Sequence, residues 1–328
     1  MTDQGSHGHG SHAHGTESGR ASHRGHDHAG HAHGVSADAN ARYLSIALGL
    51  IVGFMVVEAI VAVLSGSLAL LADSGHMLTD AGALGASLWA ARLAARPAAG
   101  AWTFGFKRAE ILSAAGNGIT LLLVSALVTF ESIRRLIHPS AVGGLTVVIV
   151  ALVGVAVNLV AAWTLAKANR SSLNVEGSFQ HIVTDLYGFI ATVIAGVVLL
   201  ATGFERADAI ASLVVVALMV KASWGLLKAS GRVLLEAAPE SVDLGDVRVH
   251  LLDSEHVRDV HDLHAWTVTS DLPVLSAHIV VDESCFTEGH APRLLDQIQA
   301  CLVGHFDVEH STFQLEAAGH LDHEAGTH

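Results

Sequence analysis

Six long apolar stretches are the feature that most limits how this chain can fold. Each holds about 20 mostly hydrophobic residues, enough for a helix to cross a hydrocarbon core of about 30 Å. Across the chain, 51% of residues are hydrophobic and only 15% are charged, unlike an average soluble protein. We therefore expect a membrane α-helical bundle with spans near residues 43–64, 67–91, 111–130, 145–166, 178–201 and 208–227.

The distribution of lysine and arginine predicts which helix ends face the cytosol. An even number of spans leaves both termini on one side. The segments on that side hold most of the basic residues, whereas the outer loops hold only Arg134, Arg135 and Arg206. This excess predicts cytosolic termini. The first 34 residues lack an apolar signal-peptide run, so we expect an uncleaved plasma-membrane protein. The inner basic residues are Arg20, Arg24, Arg42, Arg92, Arg96, Lys107, Arg108, Lys167, Arg170, Lys228 and Arg232.

A change in composition after the sixth stretch predicts a separate soluble domain. From residue 229 onward, 18 acidic residues outnumber four basic ones, which disfavours a nucleic-acid partner. An αββαβ order fits a C-terminal ferredoxin-like α+β domain. Its expected elements are a helix near 241–253, strands at 257–269 and 274–283, a helix near 288–303 and a strand near 306–316. The predicted division is a His-rich disordered tail (1–40), a membrane domain (41–228), a cytosolic domain (229–317) and a short tail (318–328).

Two apolar stretches contain the same polar pair at the same spacing, His76 with Asp80 and His181 with Asp185. Residues four apart lie on one helix face, so each helix offers an imidazole nitrogen and a carboxylate oxygen. Two such helices supply a tetrahedral His2Asp2 set that suits Zn²⁺. One pair alone is equally well explained as a hydrogen bond joining helices. The repetition favours a metal site between helices 2 and 5, which run antiparallel if each half has three helices.

Other polar residues inside the apolar stretches also need an explanation. Asp73 shares the helix face of His76 and Asp80, and we expect it to line the entrance or to hold a ligand in place. Glu58, Asn117 and Asn158 are single polar residues in the first, third and fourth spans, where interhelical hydrogen bonds are the usual role. For Glu58, a proton-relay role stays open.

The N-terminal tail is low in complexity and rich in histidine, interleaved with glycine, serine and alanine. Such a tract binds transition metals loosely, which favours metal capture near the transport entrance. A tail without function, or one left from purification, stays open as an alternative. Its nine histidines are His7, His9, His12, His14, His23, His26, His28, His31 and His33.

These patterns favour a transporter over three other classes of protein. An intramembrane zinc hydrolase needs a general base, as in His-Glu-x-x-His, and the chain has no such motif, so we expect no enzyme. A passive channel could use the same ligands, but a complete tetrahedral shell binds too tightly for fast conduction. A metal sensor or buffer has no need of buried His–Asp pairs.

Several motifs resemble those of cation diffusion facilitators. The run from Ser65 to Asp80 resembles that family's second helix, and His181-x-x-x-Asp185 its fifth. Further similar segments are Gly105-Phe-Lys-Arg-Ala-Glu110, Asn117-Gly118, Glu131 to Pro139, Asp208 to Ser212, and Val260-His-Asp-Leu-His-Ala-Trp266 in the soluble domain. The resemblance covers about residues 43–316.

The resemblance implies a homodimeric metal-ion/proton antiporter that exports Zn²⁺, with Cd²⁺ or Co²⁺ as further substrates. A His–Asp pair on both helices is similar to the zinc-preferring branch, whereas manganese carriers have carboxylates where His181 stands. Since metal binding needs neutral imidazole and ionised carboxylate, Zn²⁺ and protons compete for the same groups.

For the cytosolic domain, the resemblance implies a regulatory or stabilising metal held by histidines on two strands and polar residues on the last. The matching positions are His261, His278, Gln314 and Glu316, with His264 and His310 nearby. Solvent-facing histidines without metal stay open as the alternative. We expect Cys285 and Cys301 to be reduced thiols without a metal role, because they lack CxxC spacing. The histidines expected on the surface are His290, His305, His320, His323 and His328.

Overall fold

A computed structural model of the chain describes residues 37–65, 68–138, 144–204, 206–308 and 310–320. Its first part consists of six long helices. They are α1 (Ala37–Ser65), α2 (Leu68–Ala94), α3 (Arg108–Ile137), α4 (Gly144–Leu165), α5 (Leu173–Thr202) and α6 (Ala207–Leu234). Most extend several residues beyond the predicted spans, because a helix continues through its polar ends after the apolar segment stops.

Five of these helices, α1 and α3 to α6, are long and apolar enough to cross a membrane. At most 44% of any such span is buried inside the protein, and large side chains such as Leu127 and Phe130 are about 70% and 69% exposed. Apolar surface of this extent belongs in lipid. The sixth predicted span is α2, which has 27 residues but carries Asp73, His76 and Asp80 in its first half.

α2 and α5 lie against each other, and each also contacts other helices of the bundle. α2 contacts α1, α3 and α5, while α5 contacts α2, α3, α4 and α6. Buried apolar side chains from α1, α2, α4 and α5, including Leu44, Leu84 and Ile182, form one continuous core. Gly118 allows α3 to approach α6 closely, since a Cβ there would lie 2.9 Å from Cγ of Leu227.

The predicted cytosolic domain is a three-stranded sheet with helices, and its sheet is named the cytosolic sheet after that prediction. Its strand order is β1-β2-β3, with β1 and β2 antiparallel and β2 and β3 parallel. The last strand starts at His310 instead of 306, because α9 continues to Phe306. The elements are α7 (Leu244–Leu252), β1 (Val257–Thr267), β2 (Pro273–Val281), α8 (Ser284–Thr287), α9 (Ala291–Phe306) and β3 (His310–Ala317).

The turn between β1 and β2 contacts the start of α5. Ser270 Oγ accepts a hydrogen bond of 3.0 Å from the backbone N–H of Leu173, the first residue of α5. Asp271 accepts bonds from Asn169 and Ser171 in the loop before α5. The cytosolic sheet therefore supplies a capping contact for the helix that carries His181 and Asp185.

Candidate metal site

Three of the four predicted membrane ligands come together between α2 and α5. Nε2 of His181 lies 2.9 Å from Oδ1 of Asp80 and 3.8 Å from Oδ2 of Asp185. One donor atom from each residue lies within 4.8 Å of the others. These separations bracket the distance of about 3.4 Å between ligands in a tetrahedral zinc shell, given metal–ligand bonds of about 2.0–2.2 Å.

Two residues of this cluster are buried, and the third, Asp185, is half-buried. Asp80 and His181 are only 6% and 3% exposed, and Thr184 on the same helix is buried. Two carboxylates beside one imidazole give a negative site in a medium of low dielectric, where a divalent cation is strongly favoured. His181 is the ninth residue of α5, about 12 Å along the helix from its first residue. The predicted span began at residue 178, three residues before His181.

A second polar contact fixes α2 against α5. Asn174 Nδ2 donates to the backbone carbonyl of Ser87 at 2.8 Å, and Asn117 Nδ2 of α3 donates to Ser87 Oγ at 2.9 Å. Ser87 follows Asp80 by seven residues, whereas Asn174 precedes His181 by seven. The two helices therefore run antiparallel, as predicted. The interhelical bond expected for Asn117 is also confirmed.

The remaining predicted residues of the membrane region have different outcomes. Glu58 is buried in α1, at 2% exposure. Asn158 was expected to bond to another helix, but its Nδ2 donates to Gly154 one turn earlier in α4, because a short amide can reach its own backbone. Asp73 and His76 belong to α2, but their side chains lie outside the described residues, as do all nine histidines of the N-terminal tail.

A second cluster lies on the cytosolic sheet. His278 Nδ1 is 2.9 Å from Oε1 of Glu316, and His261 Nε2 is 3.6 Å from Oε2 of the same carboxylate. The strand register places His261 opposite His278, with ring centroids 5.2 Å apart. The Glu316 side chain is almost completely buried. Two imidazoles and a carboxylate within 4.8 Å are a chemically suitable donor set for Zn²⁺.

Other predicted members of the cytosolic set do not join this cluster. Gln314 donates a hydrogen bond of 2.7 Å to Glu316 and so orients the carboxylate. His264 contacts Asp262 at 3.0 Å. His310 was expected near this cluster. It instead pairs with Val274, which lies about 13 Å along β2 from His278, and its ring contacts the ring of Phe104.

Asp262 is a functional candidate that sequence reasoning missed. An extra residue in β1 between His261 and His264 forms a bulge, and Asp262 has φ of 51°. The bulge brings its carboxylate within 3.9 Å of His278. Its position between two histidines was the available signal, but a bulge is not readable from strand alternation.

A cavity of about 1230 Å³ lies between α2, α3 and the cytosolic sheet. It is lined by His264 and Trp266 of β1 at one side and by Ala83 and Asn117 of the membrane helices at another. Ala83 follows Asp80 by three residues, about one helical turn.

Comparison with known proteins identifies the family of both parts of the chain. The family model described as the cation efflux transmembrane domain matches residues 44–235. A second model, described as the cation efflux protein cytoplasmic domain, matches residues 239–318. The chain belongs to the cation diffusion facilitator family. It is a multi-pass membrane protein.

Individual relatives match over most of their length. The cadmium, cobalt and zinc/H(+)-K(+) antiporter of Bacillus velezensis is 36% identical over 86% of this chain and 90% of its own. The zinc transporter ZitB of Escherichia coli is 38% identical over 85% and 88%. A solved structure of the metal-bound C-terminal domain of the CzcD transporter from Cuprividus metallidurans is 36% identical, covers 23% of this chain and 99% of its own, and has a TM-score of 0.20.

Proposed function

We propose that this chain exports Zn²⁺ from the cytosol in exchange for protons, through a site formed by α2 and α5. The observation that carries the proposal is the cluster of buried Asp80 and His181 with half-buried Asp185, between two antiparallel helices. His76, one turn before Asp80 on α2, is proposed as the fourth ligand. Cd²⁺ and Co²⁺ are proposed as further substrates, in line with the names of the relatives.

Protons and Zn²⁺ compete for the same groups in this proposal. Zinc needs a neutral imidazole and two ionised carboxylates, so each ion displaces the other. When the site faces the more acidic outside, protonation of His181 or His76 releases the metal. Moving two positive charges outward against 100 mV costs about 4.6 kcal/mol. Inward protons offset this cost.

The cavity between α2, α3 and β1 is proposed as the cytosolic approach to the site. It extends from His264 of the cytosolic sheet to Ala83 beside Asp80, and the acidic cytosolic domain attracts cations toward it. We propose that both termini are cytosolic and that the protein lies in the plasma membrane. Asp73 is proposed to line the entrance, Glu58 to relay protons, and the histidine tail to capture metal.

We further propose that residues 229–317 form the cytosolic domain of a homodimer and that His261, His278 and Glu316 hold a regulatory or stabilising Zn²⁺ there. Gln314 donates a hydrogen bond to Glu316, and the Asp262 carboxylate lies 3.9 Å from His278, so these two residues fix the orientation of the proposed ligands. Residues 41–228 form the membrane domain in this division.

The test is Zn²⁺ flux in proteoliposomes under an imposed pH gradient. The wild type is compared with Asp80→Ala and Asp185→Ala, each checked for monodispersity and helical content. We expect flux in the wild type that rises with the gradient, and none in either variant. A matched control is Asp296→Ala, which removes an exposed carboxylate of α9 and should leave flux unchanged.

Two results would contradict the proposal. Equal flux in all four proteins would mean that the His–Asp groups only join helices. Zinc flux that is independent of the pH gradient would contradict proton exchange while leaving the metal site in place.

A further inference from the structure

A third group of metal-binding side chains lies where the last turns of α7 and α9 meet. His250 is in the last turn of α7, and Cys301 and His305 are four residues apart on α9. One donor atom from each lies within 4.8 Å of the others. His250 is about 50 residues from the other two in the sequence, so no local spacing joins them.

The backbone positions of these three residues are set by buried neighbours. Val247 and Leu251 on α7, together with Ile298 and Leu302 on α9, are buried in the core of the cytosolic domain. The rings of His250 and His305 have centroids 4.6 Å apart. Both helices are thus anchored while the three polar side chains keep contact with solvent: His250 and Cys301 are half-buried and His305 is exposed.

The hydrogen bonding of His305 leaves one nitrogen suited to a metal. Its Nδ1 lies 3.0 Å from the backbone carbonyl of Cys301, to which Nδ1–H donates. That bond fixes the tautomer in which Nε2 carries the lone pair, and such a backbone partner is the usual support of a metal-bound histidine. Sγ of Cys301 lies 3.6 Å from the same Nδ1.

We propose that His250, Cys301 and His305 form a metal site for Zn²⁺ or the softer Cd²⁺, separate from the transport site and from the sheet cluster. A thiolate with two imidazoles is a donor set for these ions, and a water completes the tetrahedron. Of the metal-donor groups found among the described residues, this one alone contains sulfur. A bound ion joins α7 to α9 and stabilises this end of the cytosolic domain.

Cobalt absorption tests the proposal in the full-length protein in detergent. Co²⁺ bound to a thiolate gives a near-ultraviolet charge-transfer band that imidazole and carboxylate ligands do not give. We expect this band on Co²⁺ titration of the wild type, its loss in Cys301→Ser, and a Co²⁺ affinity lowered by about tenfold or more in His250→Ala and His305→Ala. Added Zn²⁺ should remove the band by displacement.

The chain offers a matched control in its other cysteine. Cys285 is fully buried, and burial raises the pKa of its thiol, so it is a poor ligand. The band should persist in Cys285→Ala. It should also persist in the double variant that carries His261→Ala and His278→Ala. A wild type without the band, or a band that survives in Cys301→Ser, overturns the proposal. Neither result depends on transport, so it leaves the export function untouched.

Discussion

The membrane cluster and the sheet cluster use similar donors but are held together in different ways. Asp80 and His181 are 101 residues apart and meet across two helices that are joined by side-chain contacts. His261, His278 and Glu316 lie on three strands connected by backbone hydrogen bonds, with His261 directly opposite His278. The first arrangement depends on how two helices pack, whereas the second is fixed by the sheet.

This difference indicates opposite uses for the two clusters. Packed helices can shift by small amounts without losing their internal hydrogen bonds, so a site between them can bind and release an ion. Moving one strand of a sheet breaks several backbone bonds at once. We therefore expect the membrane cluster to exchange its ion and the sheet cluster to retain it.

The largest effect is expected from changing the donor type in the membrane cluster. His181→Asp replaces nitrogen with oxygen, which weakens Zn²⁺ binding and favours Mn²⁺ relatively. We predict that Zn²⁺ flux falls by about 100-fold or more. Losing a residue that only supports a metal ligand costs about 10- to 100-fold in metal affinity or activity, and His181 is itself a proposed ligand. Competition flux assays with both metals measure this change.

Mn²⁺ transport by His181→Asp would show that the variant is folded. His290→Asp, which changes a half-buried histidine of the cytosolic domain outside both clusters, is the control and should transport Zn²⁺ as the wild type does. A His181→Asp protein with unchanged preference for Zn²⁺ would remove His181 from the substrate site.

The next largest effect is expected at the sheet cluster, where bound Zn²⁺ should stabilise the three strands. At 100 times its Kd, a ligand that binds only the folded state adds about 2.7 kcal/mol of stability. We predict that Zn²⁺ slows amide exchange in β1 to β3 of the wild type, and that His261→Ala with His278→Ala abolishes this protection. Zinc flux should persist in the double variant, unlike in His181→Asp.

His290→Ala should keep the zinc-dependent protection of the strands. Loss of flux in a folded double variant would mean that transport depends on the sheet cluster, and the contrast between a transporting and a retaining site would fail.

The sequence predicted the membrane cluster more fully than the sheet cluster. The repeated His–Asp spacing predicted the membrane cluster, because a helix fixes which residues share a face. It also predicted the antiparallel α2 and α5. The sheet cluster was harder: the positions of His261, His278 and Glu316 followed from resemblance, while His310 was placed wrongly because strand register is set by long-range pairing.

Local backbone detail was not readable at all. The bulge that turns Asp262 toward His278 needs a positive φ that several residue types tolerate. The hydrogen bond between Ser270 and the start of α5 joins residues 97 positions apart, so no local sequence pattern predicts it.

A smaller effect is predicted for that Ser270 contact, which links the two regions. Ser270→Ala removes the acceptor for the Leu173 N–H and should destabilise the first turn of α5 by about 1 kcal/mol. Amide exchange at residues 173–176 should accelerate, while exchange around His181 changes little. Ser284→Ala, on α8, is the matched control. Equal exchange in both variants would show that the sheet does not support α5.

The smallest effect is expected for a charged pair outside both clusters. Arg258, with His256, holds the pKa of the Asp282 carboxyl below its usual range through hydrogen bonds of 2.6 and 3.0 Å from the guanidinium. A carboxyl with a lowered pKa stabilises the fold above its ordinary pKa, and this stability is lost as pH falls through the folded-state pKa.

Arg258→Ala should therefore lower stability slightly at neutral pH, and the difference from the wild type should vanish in acid. The effect is small because the pair is exposed. Urea unfolding at several pH values measures it. A difference that grows toward acid pH would contradict this assignment, and zinc flux should not change.

The most direct test of the account is the pH dependence of Zn²⁺ binding to the membrane cluster. Equilibrium binding is measured in a protein that carries His261→Ala, His278→Ala and Cys301→Ser. Binding that persists when Asp80→Ala is added to that protein, such as binding by the histidine tail, is subtracted. Competition between Zn²⁺ and protons predicts that the remaining affinity falls by about tenfold per pH unit for each proton displaced as the solution is acidified. An affinity that stays constant from neutral to acid pH would contradict competition between Zn²⁺ and protons at Asp80, His181 and Asp185.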